Sequence, residues 1–370
     1  MKKLLLSLLI TTLSFANTHE LTTYNLGLAH TYVPFASQRT QPLIDALKKQ
    51  ESDVLCLQEV WKKEDRNLII NSLKSEYPYA HFTKIFQERA SKKPVCKVKE
   101  LFGKDKFVTC TLKKCKKLDG DDFTNCVINK CGDSLVRLKN SNRQCAAALM
   151  AQVGKSSTAS IWAVINPFKK ASLFTYGGSN GLLLLSKKKM TEKSLLNMSD
   201  ISALSRRSAL KAKIEDVGNI YCTHLSANLA GEAPYAGKFE SWEEENFAQA
   251  ERLVTDALDQ QGPTALLGDF NCGNEIPGTN LSSEIPESCD LIANYFEDAI
   301  ALSNPGCTFC SENEIATTSK DRLIDHIYTL GFHTSDERIT FKEKVKISVD
   351  GKEKMVNLSD HYGVTIKVEK

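Results

Sequence analysis

The segment "TALLGDFNCG", residues 264–273, decides how this chain is read. Thr264 to Leu267 has the pattern of a short buried strand. In an extended continuation Asp269 and Asn271 project to one face, because side chains alternate along a strand. Taken alone, such a strand end is an ordinary turn with its Asx side chains satisfied locally. The same habit recurs along the chain, however. Asn25, Glu59, His224, Asp325 and the pair Asp360-His361 each sit within or directly after a β-like run. These are the residue types that metal-assisted phosphate chemistry uses.

The N-terminus carries Lys2 and Lys3, then the apolar run "LLLSLLITTLSF", then small residues at Ser14 and Ala16. This pattern predicts a secretory signal over residues 1–16, too short to span a bilayer comfortably. The mature chain, 17–370, is then expected to be secreted or periplasmic, with no transmembrane span. Without Lys2 and Lys3 the net charge falls from +3 to +1, which gives no support to a broad polyanion binder. The charge is uneven all the same. Arg89 to Cys145 holds fifteen Lys or Arg against six Asp or Glu, and also Cys96, Cys110, Cys115, Cys126, Cys131 and Cys145, half of the twelve cysteines. In an exported chain an even local set reads as disulfides of undetermined connectivity; zinc is the lesser reading, because the stretch has no Cys-x2-Cys pair and no histidine. Residues 84–160 are read as a Cys- and Lys-rich insertion into one catalytic domain.

Outside the insertion, strand-like runs alternate with helical patterns, as in α/β or α+β folds. "ELTTYNLGL", "DVLCLQEVW", "GLLLLS", "PTALLGDFN", "RLIDHIYTL" and "YGVTIKV" read as strands, and "ALKAKIEDVGNIYCTHLS" as a hairpin turning at "EDVGN". "SWEEENFAQAERLVTDALDQQG" reads as an amphipathic helix opening at Ser241. The aromatic tract "SIWAVINPFKKASLFTYGG" fits a core hairpin or a membrane-interface contact equally well.

Read in order, "TYN", "CLQEVW", "NGLLLLS", "CTHLSAN", "LLGDFN", "RLIDHIY" and "LSDHYGV" resemble the endonuclease/exonuclease/phosphatase (deoxyribonuclease I-like) superfamily over residues 21–80 and 177–370. "QESDVLCLQEVWKKED", "SEYPYAHF" and "THLSAN" are most similar to neutral sphingomyelinases. The resemblance implies a four-layer α-β-β-α sandwich of two packed mixed β-sheets, with the site at one end of the sheets.

It also implies roles. Glu59 would anchor Mg2+, as one or two ions or another divalent cation, with Asn25 beside it. His361 would be the base, oriented by Asp325, since an imidazole titrates near neutrality and needs its tautomer fixed. His326 would face the opposite side of its strand and is left out. Asn271 would donate to a phosphoryl oxygen, while Asp269 would hold the attacking water, a second metal or the leaving group's proton. His224 would donate to the phosphate or protonate the departing alkoxide, and Asp360 would support a metal or position its neighbour. The expected activity is a secreted metal-dependent phosphodiesterase, sphingomyelinase-like, cutting sphingomyelin or a related choline phospholipid at a membrane surface. A secreted nuclease is the alternative, disfavoured by the acidic balance of the matching regions. A non-catalytic binding protein on the same fold is the weaker one.

Overall fold

The computed structural model describes residues 17–30, 32–84, 89–118, 120–152 and 157–370, so the expected leader, residues 1–16, lies outside the described residues. In chain order the strands are β1 (His19–Asn25), β2 (Val54–Gln58), β3 (Tyr79–His81), β4 (Leu183–Ser186), β5 (Met190–Asn197), β6 (Ser208–Ile214), β7 (Gly218–His224), β8 (Thr264–Asp269), β9 (Glu297–Asp298), β10 (Asp325–Leu330), β11 (His333–Thr340), β12 (Lys344–Val349), β13 (Lys352–Asn357) and β14 (Gly363–Glu369). Among the described residues they form two six-stranded mixed sheets, β11-β14-β1-β2-β4-β3 and β5-β6-β7-β8-β10-β9, and the hairpin β12-β13.

Period-two alternation builds the layers. Val54 and Cys56, Leu182 and Leu184, Leu210 and Ala212, Ile220 and Cys222, Ala265 and Leu267, and Ile366 and Val368 meet in one cluster between the sheets. Their neighbours point the other way. Leu55, Leu57, Leu183 and Leu185 pack on Leu43, Ile44 and Leu47 of helix Ala36–Lys48 and on Ile69 of helix Lys63–Ser72. Tyr221, Leu266 and Tyr328 pack on Ala250, Leu253 and Val254 of helix Trp242–Leu258. Both faces of each sheet are covered, which is why "DVLCLQ" and "GLLLLS" are apolar at nearly every position. The result is the four-layer sandwich. The Cys56–Cys222 disulfide joins β2 of one sheet to β7 of the other. Helix Trp242–Leu258 opens at Ser241, whose hydroxyl accepts from Glu244 N–H at 3.2 Å, the capping geometry that Ser provides.

Between β3 and β4 lies a helical lobe: Val98–Leu101, Phe107–Lys114, Gly120–Ser141, Arg143–Met150 and Ser157–Ile165. Its cysteines pair as Cys96–Cys145, Cys110–Cys131 and Cys115–Cys126. The lobe also has an apolar core of its own, including Leu101, Phe107, Leu135, Leu138, Leu149 and Val164. A bridge between Arg89 and Ser172 closes it, so the expected boundary at residue 160 falls inside a helix. The tract "SIWAVINPFKKASLFTYGG" is therefore no hairpin: its first part is helical because Val164 joins the lobe core.

Candidate active site

Register brings the polar strand ends together. β7 pairs parallel with β8, setting His224 opposite Asp269, and β10 pairs antiparallel with β8, setting Asp325 opposite Asp269. Directly paired residues share a face. By parity with Ile220, Cys222, Ala265, Leu267 and Ile327, all three side chains point into the space between the sheets. Across that space Asn25 ends β1 with the parity of Leu21 and pairs with Gln58, the last residue of β2 before Glu59. Asp360 and His361 lead into β14, which lies beside β1. His326 occupies the outer face, bonded to Asp298 Oδ2 at 2.8 Å and to the Cys272 carbonyl at 3.0 Å.

His361 Nδ1 lies 2.8 Å from Asp325 Oδ2, which fixes the ring and leaves Nε2 directed at Asp269 Oδ2, 3.9 Å away. His224 Nε2 is 3.4 Å from the same Asp269 oxygen. Asn25 Nδ2 donates to it at 2.9 Å, and Asn25 Oδ1 accepts from Gly27 N–H at 3.0 Å, so Asn25 braces Asp269 while keeping one amide lone pair. Gly27 sits at φ 53°, and a Cβ there would lie 2.2 Å from Asp360 Oδ1; only glycine lets the two loops meet,. The fully buried Arg39 donates to the carbonyls of Leu26, Gly27, Pro34 and Leu358 and holds these loops in place.

Asn271 departs from the extended continuation. Its φ is 50°, its N–H donates to Asp269 Oδ1 at 2.9 Å and its Nδ2 donates to the Leu225 carbonyl at 3.0 Å. The Asp269 side chain makes an Asx turn that swings the chain around, and Asn tolerates the left-handed backbone this requires. Asn271 stays beside Asp269, but not on the same face of a strand.

The electrostatics are those of a buried, crowded site. Burial pushes Glu59 from its ordinary range to about 7, with Asp360 and Asp269 adding to the rise and His361 and Arg207 opposing it. Burial likewise raises Asp269 to about 6, helped by Asp325 and opposed by His361, Asn25 and Asn271. For His361, burial alone would lower the pKa; Asp325, Asp269 and Asp360 outweigh it and hold the imidazole well above its usual value. His224 moves the other way, pushed well below its usual value by burial and by the cations Arg207 and His361.

Three further residues complete the cluster, and of these only Arg207 lies outside the motifs and tracts that the sequence singles out. Arg207 is buried, with Nε and Nη1 lacking a hydrogen-bond partner among the described residues, and its guanidinium lies 5.9 Å from the Trp61 ring. That ring also stacks on Tyr176 at 4.8 Å and lies tilted against the His224 ring at 6.1 Å. Trp61 is also seated against Gly181, where a Cβ would come within 2.8 Å of the indole. "CLQEVW" contains Trp61, but nothing in "SRRSALK" distinguishes a buried Arg207 from a solvated basic pair.

A divalent cation fits the donor set. Glu59 Oε2 is inaccessible to solvent and without a partner among the described residues. A buried carboxylate oxygen in that state is costly unless a cation or donor meets it. Asp269, Asp325 and His361 also place one donor atom each within 4.8 Å of one another. Oxygen-rich surroundings of this kind suit Mg2+ or a related hard ion.

The model of the Endonuclease/Exonuclease/phosphatase family matches residues 22–361. No curated protein matches the sequence significantly. Among solved structures, an endonuclease/exonuclease/phosphatase from Beutenbergia cavernae superposes with a TM-score of 0.52 at 16% identity, over 95% of this chain and 71% of that one. The protein crystallised as SmcL gives 0.51 at 12%, over 95% and 99%. The mannosyl-6-phosphatase Bt3783 of Bacteroides thetaiotaomicron gives 0.50 at 13%, over 95% and 100%. At these identities the likeness is one of fold. With the family model spanning the strand ends that converge on Asp269, the chain belongs to the endonuclease/exonuclease/phosphatase family.

Proposed function

We propose that the protein is a divalent-metal-dependent phosphodiesterase of the sphingomyelinase type, releasing phosphocholine from sphingomyelin or a related choline phospholipid. The convergence of His224, Asp269, Asp325 and His361 on one buried point, with an orphan carboxylate oxygen on Glu59, carries the hydrolytic reading. The choline lipid is supported by the sphingomyelinase-like motifs around Glu59 and His224.

Glu59 would hold the cation, with Asn25 Oδ1 and Asp360 close by. When bound, that ion neutralises a phosphoryl oxygen and counters the negative charge of the surrounding carboxylates. His361, in the neutral form it takes only above the raised pKa its carboxylate neighbours give it, receives the proton of the attacking water at Nε2, while Asp325 keeps Nδ1 protonated and the ring aimed. Asp269 positions that water, itself held by Asn25 and by the Asn271 N–H. His224, neutral in this setting, acts as a hydrogen-bond donor to the phosphate more readily than as an acid. Arg207 supplies fixed positive charge to the phosphoryl group through its unpartnered edge,. Asn271 donates from an amide already shared with the Leu225 carbonyl.

One observation favours the nuclease alternative: a cleft of about 470 Å³ beside the lobe is lined by Lys139, Arg143 and Lys238 against the single acid Glu240. Salt separates the two. A nuclease making six to ten phosphate contacts loses about 10³–10⁵ in affinity between 50 and 200 mM salt. Cleavage of choline lipid in neutral vesicles should change only about a few-fold over that range, because screening acts over about a Debye length. Rapid, salt-quenched cutting of DNA with no action on vesicles would refute the lipid reading.

A further inference from the structure

The His361–Asp325 pair is held from behind by a loop with its own disulfide. Cys307 and Cys310 are joined across Thr308 and Phe309, and each of these two residues touches the pair. Thr308 Oγ1 accepts from the backbone N–H of Ile324 and of Asp325, both at 3.1 Å, fixing the strand start from which Asp325 reaches the imidazole. The Thr308 carbonyl accepts from the N–H of Tyr362, next to His361, at 2.7 Å. The Phe309 ring lies against the His361 ring with centroids 4.9 Å apart. Two residues inside one small cross-linked ring thus hold both members of the pair.

That cross-link contains the least buried cysteine of the bridges near the site. Cys307 is partly exposed, whereas both sulfur-bearing residues of Cys56–Cys222 and of Cys272–Cys289 are buried. Cys-x-x-Cys is the spacing used for thiol–disulfide exchange, and access of a thiolate to one sulfur sets its rate. The loop it closes is the shortest among the disulfides of the described residues, so opening it relaxes the unfolded chain least and leaves the rest of the fold tied,.

We propose that Cys307–Cys310 is a thiol–disulfide exchange site that gates hydrolysis: the oxidised form is active, and a dithiol reductant switches it off. The proposal rests on reading His361 and Asp325 as the catalytic pair. A reductant thiolate attacks the Cys307 sulfur, the S–S bond breaks, and Cys310 departs as a thiolate that takes up a proton. The reductant's second thiol then displaces Cys307 from the mixed disulfide. The protein gains two electrons and two protons, and the dithiol is oxidised to its disulfide. Thr308 and Phe309, released from the ring, cease to fix Asp325 and His361; they are positioning residues.

The test uses the full chain, dithiothreitol titration, alkylation mapped by mass spectrometry, and hydrolysis of a soluble choline phosphodiester. Where Cys307 and Cys310 are alkylated and the other pairs remain intact, the rate should fall at least tenfold. The melting temperature should change little, the ascending limb of the pH–rate profile should move to lower pH as Asp325 loosens, and reoxidation should restore the rate. Cys307→Ser with Cys310→Ser should be slow without reductant and indifferent to it, and Thr308→Val should show the same pH shift with the bridge intact. A full rate in the reduced protein, a full rate in the double serine variant, or a loss that follows alkylation of a different pair would each overturn the proposal. If the double variant fails to fold by circular dichroism, the titration of the wild-type chain decides alone. Full activity in Asp325→Asn would instead defeat the catalytic reading, so the two failures are distinguishable.

Discussion

Replacing Glu59 by Gln should stabilise the metal-free protein at alkaline pH while abolishing its response to Mg2+. The folded state raises the Glu59 pKa from 4.5 to about 7. A buried acid whose pKa rises on folding binds its proton more tightly in the native state, so stability falls as pH climbs from the unfolded value to the folded one. At about 1.4 kcal/mol per pH unit, the whole window corresponds to about 3 kcal/mol. This is an upper figure, because Glu59 is not wholly buried. With an unfolding entropy of about 2.1 cal/mol/K per residue, a chain of roughly 350 residues converts that into about 4 °C of melting temperature. Calorimetry at pH 8 in chelator should therefore show Glu59→Gln melting a few degrees above wild type, with the gap closing below pH 4.5. Adding Mg2+ at about a hundred times its Kd should raise wild type by about 2.7 kcal/mol and leave the variant where it was. A variant that melts below wild type in chelator at pH 8, or that gains as much from Mg2+, would refute the assignment of Glu59 as an uncompensated metal anchor.

Further outcomes follow from the same geometry. Asp325→Asn should lower kcat by about 10²–10⁴, the range for a disabled acid–base unit, and should shift the ascending limb of the pH–rate profile to lower pH, because Asp325 is the largest charge holding the His361 pKa up. Arg207→Met should lower kcat by about 10²–10³, the size of one lost transition-state donor, on choline, ethanolamine and simple alkyl phosphodiesters alike, since its contact is with the phosphoryl charge; a loss confined to choline esters would contradict this. The same variant should raise the His224 pKa, read by NMR, as one of the cations that lower it is gone. Replacing Cys56 and Cys222 by Ala, which opens a closure of 166 residues, should cost about 5 kcal/mol by the chain-entropy estimate, measured by denaturant titration.

The strand ends were legible because alternation is a property of the backbone. Once "TALLGD", "NIYCTH" and "IDHIY" are placed as strands, Asp269, His224 and Asp325 must share the face of Leu267, Cys222 and Ile327. The turn at Asn271 is the Asx turn that the segment taken alone suggests; the extended continuation failed because the side-chain bond to Asp269 outcompetes it. Arg206 and Arg207 look alike in sequence and both are buried; what marks Arg207 is its place beside the Trp61 ring, a contact across the fold. The lobe's pairings were open for a similar reason. Cys110 and Cys115, like Cys126 and Cys131, are five apart, and only the antiparallel course of helices Phe107–Lys114 and Gly120–Ser141 makes the outer and inner cysteines meet. The far boundary of the lobe is hard to read because "SIWAVI" is apolar enough for a strand or a helix; in the fold it is helical, with Val164 in the lobe core.

The position of β14 ties activity to the order of synthesis. This strand lies between β11 and β1 and delivers Asp360 and His361, the last of the site residues in the sequence, to a partner, Asp325, in the other sheet. A nascent chain can hold every strand from β5 to β10, with His224, Asp269 and Asp325, and still lack His361. Until β14 has inserted beside β1, the earliest strand made, the site has no His361. With His361 as the proposed base, a product interrupted before Asp360 should be inactive, and it would also forfeit Val364, Ile366 and Val368, which fill the core between the two sheets.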